Sequence, residues 1–172
     1  VPTFSMPDIA ALRGLSYPEL AFAIIHPFVG DTIAPDALNQ IIARAYAGFR
    51  HSAIAPLKQL DAHTHVLELF HGPTLAFKDF ALQFLGGLLS HILARRGEHV
   101  TVIGATSGDT GSAAIAGCQS RSHMDIFILF PKGRVSEVQR RQMTTVVDKN
   151  VHNIALEGTF DDCQDIVKTL FS

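Results

Sequence analysis

A single lysine set among phenylalanines, Lys78, has the surroundings that most favour chemistry. It lies in the stretch HGPTLAFKDFALQFLGG (71–87), where an apolar helix is predicted to begin. Burial beside Phe77 and Phe80 and the positive end of a helix dipole both favour the neutral amine of a lysine. A neutral amine is a nucleophile and a base, and it forms a Schiff base with a carbonyl. The alternative is a lysine that extends its charged end into solvent along apolar neighbours.

A second stretch, ATSGDTGSAAIAG (105–117), has the composition of an anion receptor. Free N–H groups at a helix start, glycines that allow close approach and several hydroxyl groups together favour an anion. A simple helix cap would explain one hydroxyl and one glycine, but not the whole run. The spacing matches neither a dinucleotide-binding motif nor a P-loop, so a carboxylate is the better ligand. The candidate ligand-binding residues are Thr106, Ser107, Gly108, Asp109 and Thr110.

A third stretch, PKGRVSEVQRRQM (131–143), could hold a second anion. Lys132 and Arg134 supply positive charge near a turn, and Ser136 can cap the helix that follows. The alternative is a charged surface turn in water, and the residues alone favour neither interpretation.

Short β-rich runs alternate with helical segments in the part of the chain that carries these stretches. Such alternation predicts right-handed crossovers and an α/β fold with a mostly parallel sheet flanked by helices. Ligand sites in these sheets lie at the carboxyl ends of the strands, so the three stretches should converge at one edge. The predicted strands are 65–70, 99–105, 125–130 and 151–156.

The first part of the chain has helical rather than strand-like spacing. Apolar residues recur at helical intervals over 17–28 and 36–49. We therefore predict a helical N-terminal segment over residues 1–60, followed by the parallel α/β part over 61–172.

Composition excludes several other classes of function. The net charge is −2 and the 14 Lys and Arg residues are scattered, which disfavours nucleic-acid binding. No apolar stretch reaches the length of a membrane span, so a soluble cytoplasmic protein is expected. Cys118 and Cys163 are expected to be buried free thiols. His63, His65 and His71 lie close in sequence, but no acidic or thiol cluster completes a metal site, and none is predicted.

The pattern LAFKD (75–79), followed some thirty residues later by TSGDTGSAA (106–114), resembles the fold-type-II pyridoxal-phosphate enzymes, the tryptophan-synthase-β-like family. The resemblance implies pyridoxal 5'-phosphate as the cofactor, bound through the amine of Lys78 beside Phe77. It further implies a carbon–oxygen lyase acting on a phosphate ester, which converts O-phosphohomoserine and water to threonine and phosphate. Three other stretches of this sequence occur in the family's order, namely 14–33, 129–143 and 156–168.

The resemblance also implies roles for the second and third stretches. Ser107, Asp109 and Thr110 would face the α-carboxylate of the substrate, with the N–H groups of Gly108 and Thr110 as donors. Thr106 would add a hydroxyl to the same loop. Lys132 and Arg134 would be candidates for binding the substrate phosphate.

The chain ends at Ser172 directly after an amphipathic run (163–171), whose apolar stripe needs a packing surface. Family members are more than twice this length, so we expect a fragment that lacks a large C-terminal domain, its expected packing partner. That domain is expected to carry the cradle for the cofactor phosphate, so the fragment alone should be inactive. Two alternatives remain open: a divergent lyase for a phospho-amino acid, and a non-catalytic anion- or nucleotide-binding module in which Lys78 is structural.

Overall fold

A computed structural model describes all of residues 1–172, and from the third strand onward its strands and helices alternate. The helices are α1 (Met6–Ala11), α2 (Tyr17–Val29), α3 (Pro35–Tyr46), α4 (Asp79–Arg96), α5 (Asp109–Cys118), α6 (Glu137–Thr144) and α7 (Phe160–Leu170). The strands are β1 (Leu57–Gln59), β2 (His65–Leu67), β3 (Val100–Ala105), β4 (Met124–Pro131) and β5 (Val151–Leu156). None of the helices combines the length and apolar character needed to cross a membrane.

The α/β core is a three-stranded parallel sheet in the order β3-β4-β5. Strand β4 is central, so β3 and β5 are edge strands. Alternate residues of β4, among them Ile126 and Ile128, face a core that includes Ile115 of α5 and Met143 of α6. This confirms the predicted parallel sheet flanked by helices for the three strands beginning near residues 99, 125 and 151.

The predicted strand over 65–70 does not join that sheet, and this prediction is wrong. Only His65–Leu67 is a strand, and it pairs antiparallel with β1 as a separate hairpin. A tight turn closes the hairpin, since Asp61 Oδ1 accepts hydrogen bonds from the N–H groups of His63 and Thr64. Strand β1 also lies within the segment predicted as helical. Apolar alternation identifies a strand but not its partner, which explains the error.

The helical segments of the N-terminal part are confirmed, with small shifts at their ends. Helix α2 begins after Ser16, whose N–H and hydroxyl both donate to the Glu19 carboxylate, at 2.7 and 2.6 Å. Pro35 begins α3, where its missing N–H costs nothing. Helix α3 packs on α4 through a second core cluster that includes Leu38 and Ile42.

Helices α4 and α5 touch backbone to backbone at two glycines. A Cβ atom at Gly86 would overlap the carbonyl oxygen of Gly117. A Cβ atom at Gly117 would in turn lie 2.5 Å from the carbonyl oxygen of Leu82. This close crossing brings residues 82–86 of α4 against the C-terminal end of α5.

Candidate active site

The loop that carries Lys78 is held by a buried carboxylate, Asp79, which is 0% exposed. Its two oxygens accept hydrogen bonds from the N–H and the hydroxyl of Thr74, both at 2.8 Å. Gly72 packs so closely on Asp79 that a side chain there would overlap the carboxylate. Because Asp79 is the first residue of α4, these bonds fix Lys78 at the N-terminus of that helix.

The amine of Lys78 brings the first two sequence stretches together. Its Nζ donates to Asp109 Oδ2 at 2.7 Å, although the two residues are 31 positions apart. The same nitrogen lies 4.5 Å from the centre of the Phe77 ring. Lys78 borders a hollow lined otherwise by Tyr17, Leu69, Phe77, Phe80, Ala81, Leu82 and Thr110.

The surroundings of Lys78 are therefore not the purely apolar ones that predicted a neutral amine. The sequence placed Asp109 on the substrate side, whereas in the structure this carboxylate is the hydrogen-bond partner of the lysine. The bond from Lys78 holds the pKa of Asp109 below its ordinary value of 3.8, while burial opposes the shift. The N–H of Thr110, which donates to Asp109 Oδ1 at 2.8 Å, adds to the lowering.

Thr106 stabilises the second loop from inside instead of facing a ligand. It is 2% exposed, and its Oγ1 accepts hydrogen bonds from the N–H groups of Gly108 at 3.0 Å and Gly111 at 2.8 Å. Gly108 has φ 145°, a conformation that favours glycine, and a Cβ there would overlap the side chain of Gln139. The predicted role of Thr106 as a ligand-facing donor does not agree with this placement.

The remaining predicted groups of the loop divide into exposed side chains and bonded N–H groups. The side chains of Ser107 and Thr110 are exposed at the start of α5. The two N–H groups predicted as donors, on Gly108 and Thr110, are already bonded to Thr106 and Asp109. In this state the hydroxyls, together with the helix N-terminus, are the groups that can meet an anion.

The structure does not bring the two cations of the third stretch to Lys78. Lys132 Nζ pairs with Glu157 Oε1 at 2.5 Å, and both side chains are largely exposed. Arg134 is exposed, and no hydrogen bond or ion pair joins it to the loop of Asp109. Hydrogen bonds from Thr159 are the main cause that lowers the pKa of Asp162, and the positive charge of Arg134 adds a small contribution.

Helix α6 reaches the site instead through two glutamines that the sequence did not indicate. Gln142 Nε2 donates to the carbonyl oxygen of Thr74 at 2.9 Å, which ties α6 to the lysine loop. Gln139 packs over Gly108 in the second loop. The signal available in the sequence was their spacing of three, which places both on one face of a helix.

The cysteines and histidines lie outside this site. Cys118 and Cys163 are buried free thiols. His71 Nε2 is 2.7 Å from Glu68 Oε2, and no group of three or more metal-binding side chains is present.

Comparison with known proteins identifies the family. Residues 51–172 match the model of the pyridoxal-phosphate dependent enzymes. The chain belongs to this family. Residues 1–46 match a second model, described as the threonine synthase N terminus.

Curated relatives of the chain include threonine synthases. The chain is 59% identical over 172 residues to the threonine synthase of Pseudomonas aeruginosa. The alignment covers 100% of this chain and 37% of that protein. The chain is 49% identical over 180 residues to the threonine synthase of Schizosaccharomyces pombe, covering 99% of this chain and 35% of that protein. The chain thus spans about a third of the length of the curated relatives it matches.

Solved structures confirm the fold. A threonine synthase from Brucella melitensis with bound PLP has 54% identity and a TM-score of 0.93, over 99% of this chain and 37% of that one. The yeast threonine synthase has 45% identity and a TM-score of 0.91, over 99% of this chain and 36% of that one.

The residues of the site fit the aldehyde end of pyridoxal phosphate. An aldehyde condenses with a primary amine, and Lys78 supplies one at the edge of an apolar hollow. The Lys78 side chain is 28% exposed, so the amine is accessible from that hollow. The aromatic ring of Phe77 adjoins the amine and offers a face against which a flat cofactor ring can pack.

Proposed function

We propose that the protein to which this chain belongs has threonine synthase activity, the pyridoxal-phosphate-dependent conversion of O-phosphohomoserine and water to threonine and phosphate. The observation that carries the proposal is the 2.7 Å contact between Lys78 and Asp109, which unites the two motifs in one site. The 59% identity to the Pseudomonas aeruginosa threonine synthase supports the choice of reaction.

Lys78 is the proposed catalytic residue. Bound pyridoxal phosphate supplies an electron sink for the carbon atoms next to the substrate amino group. Lys78 would hold the cofactor through Nζ, and its amine would move protons at the α and β carbons of the substrate. Asp109 would restrain the position of the Lys78 amine through its hydrogen bond, whether that amine is about to take up a proton or to deliver one.

The N-terminus of α5 is the proposed site for the substrate carboxylate. Ser107 and Thr110 present exposed hydroxyls there, and the partial positive charge of a helix N-terminus favours an anion. Asp109, by contrast, acts through Lys78 and not on the carboxylate. Thr106 supports the loop from inside and does not contact the substrate.

The third stretch remains a candidate for the substrate phosphate. Lys132 and Arg134 are exposed at the loop after β4, and Lys132 would have to exchange Glu157 for the phosphate. The large domain that the relatives carry beyond this region is the proposed source of the cradle for the cofactor phosphate. We propose accordingly that this chain is inactive without it, and that the protein acts in the cytoplasm.

The test compares Lys78→Ala with Lys168→Ala in the intact protein. Lys168 is a matched control, because its amine also pairs with an aspartate, Asp165, but at an exposed position. Lys78→Ala should abolish the visible absorbance of bound pyridoxal phosphate and the formation of threonine from O-phosphohomoserine. Lys168→Ala should change neither.

Product analysis distinguishes the remaining functions. Release of phosphate without threonine would identify the wild-type protein as a phospho-amino-acid lyase. A wild-type protein that takes up no pyridoxal phosphate and converts no O-phosphohomoserine would favour a non-catalytic anion- or nucleotide-binding module. A Lys78→Ala protein with full activity would exclude Lys78 as the catalytic residue.

A further inference from the structure

A cavity of about 530 Å³ lies between α3 and α4, away from Lys78. Gln83, Gly87 and His91 recur every four residues, so they form one face of α4 and line the cavity. The residues that surround the lysine amine, Phe77 and Asp109, take no part in it.

Two guanidinium groups face this cavity, Arg44 from α3 and Arg121 from the loop after α5. Arg121 Nε donates to the carbonyl oxygen of Gly117 at 2.6 Å, which leaves its two terminal nitrogens available. Arg44 makes no hydrogen bond or ion pair. The acid in the lining is Asp36, which pairs with neither arginine, so two cations share the cavity without a counter-ion. Burial lowers the pKa of Arg121, and the charge of Arg44 acts in the same direction.

Two polar nitrogen atoms in the same lining are buried and lack partners. Gln83 is 9% exposed, and its Nε2 has no hydrogen-bond partner. His91 Nε2 is also buried without one. Buried polar groups are normally hydrogen-bonded, because a buried group without a hydrogen bond destabilises the fold. Both residues line the cavity, and neither nitrogen has a hydrogen-bond partner within the chain.

Gly87 gives the cavity its shape. A Cβ there would lie 3.1 Å from Ile41 Cγ2 and 3.9 Å from Nη2 of Arg121. The 3.9 Å separation is an ordinary van der Waals contact, so the Arg121 guanidinium lies against α4 at Gly87. A planar guanidinium in this position can bind two oxygens of one anion.

We propose that this cavity binds one oxyanion, a carboxylate or phosphate group, between Arg44 and Arg121, with Gln83 and His91 as further donors. The anion is either free in solution or an acidic side chain from the remainder of the intact protein. The inference does not depend on the proposed function, because none of these residues contacts the lysine site.

The experiment measures the melting temperature of the intact protein during titration with inorganic phosphate at constant ionic strength. Arg44→Gln is the main variant, since Arg44 is exposed and makes no bond that its loss would break. Arg96→Gln is the control, because it removes the same charge from α4 outside the cavity. Arg121→Gln is a second variant, compared by phosphate affinity alone because it also loses the bond to Gly117.

Two results would support the proposal. For a free anion, phosphate should raise the melting temperature of wild type and Arg96→Gln saturably, and both cavity variants should bind it at least about tenfold more weakly. Phosphate bound at the lysine site would survive Arg44→Gln, so it is not mistaken for this site. For an acidic side chain, phosphate should have no effect, and Arg44→Gln should melt below Arg96→Gln.

The sign of the change in melting temperature also shows which outcome would contradict the proposal. Without a bound anion, Arg44→Gln relieves repulsion from Arg121, whereas Arg96→Gln loses only an exposed ion pair with Glu98 that contributes little. The melting temperature of Arg44→Gln should then equal or exceed that of Arg96→Gln. An Arg44→Gln protein that neither melts below Arg96→Gln nor binds phosphate more weakly would overturn the inference.

Discussion

The hydrogen bond between Lys78 and Asp109 predicts a defined dependence of stability on pH. Because the pKa of folded Asp109 lies below its ordinary value of 3.8, the pair stabilises the fold above that pH. The stabilisation is lost as the pH falls through the folded pKa. Asp109→Asn should therefore destabilise the cofactor-free intact protein at pH 7 by about 1 kcal/mol or less, since Asp109 is 37% exposed. Urea unfolding between pH 7 and pH 3 should show the difference shrink.

Asp31→Asn is the control for that measurement, because Asp31 is exposed and makes no hydrogen bond. Its stability should follow that of wild type at every pH. A difference between Asp109→Asn and wild type that did not change with pH would contradict the ionic character of the pair.

Thr106 gives a second prediction at this scale. Thr106→Val keeps the shape of the side chain but removes the oxygen that accepts from Gly108 and Gly111, both of which are buried. Two buried N–H groups would lose their partner, which should cost roughly 2 kcal/mol or more. Thr101→Val, at an exposed position of β3, is the matched control and should cost little. Equal losses in the two variants, measured by denaturant unfolding, would show that Thr106 does not support the loop.

Motifs in the sequence identified Lys78 and the loop of Asp109, but not the partners of each residue. Patterns such as a lysine at a helix start or a run of small hydroxyl residues can be identified from the amino-acid sequence alone. The bonds from Thr74 to Asp79 and from Gln142 to Thr74 span 5 and 68 positions, and they depend on how the loops approach one another. Asp109 was therefore assigned to the substrate, although its nearest cation belongs to the chain itself.

The crossing of α4 and α5 predicts that alanine substitutions at two adjacent glycines have very different effects on stability. Gly86→Ala would place a methyl group in the carbonyl oxygen of Gly117, so the helices must separate, at a cost of about 3 kcal/mol or more. At Gly87 the nearest atom is the methyl branch Cγ2 of Ile41, 3.1 Å away, which has to shift by only a few tenths of an ångström. Gly87→Ala should therefore be nearly neutral, helped by the higher helix propensity of alanine.

Denaturant unfolding of the two variants in the intact protein checks this pair. Both substitutions add the same methyl group to the same helix, so each controls for the other. Comparable stability of the two variants would contradict the close contact between α4 and α5.

At the level of elements, the sequence predicted the parallel strands near residues 99, 125 and 151 because helix-length segments separate them. The hairpin of β1 and β2 was missed, since three-residue strands carry too little pattern to reveal their pairing. Lys78 nevertheless reaches the loop after β3, because the bonds from Thr74 to Asp79 hold its own loop and its amine bonds Asp109 at the start of α5.

At the scale of the whole chain, exposed apolar residues predict that residues 1–172 alone behave differently from the intact protein. Helix α7 exposes Ile166 and Leu170, by 43% and 61%, and Phe171 directly after it is 73% exposed. Residues 1–172 expressed alone should therefore bind a hydrophobic dye strongly and give none of the absorbance of bound pyridoxal phosphate. The intact protein should do the reverse. If residues 1–172 alone were stable and held the cofactor, the cradle for the cofactor phosphate proposed in the rest of the protein would not be required.

The two edge strands of the sheet extend this dependence to the solubility of the chain. β3 and β5 each leave one row of peptide groups without a strand partner within residues 1–172. Such rows are templates on which another copy can add its own strand, the first step of aggregation. Until another segment covers these edges, newly made copies of residues 1–172 can associate with each other through them.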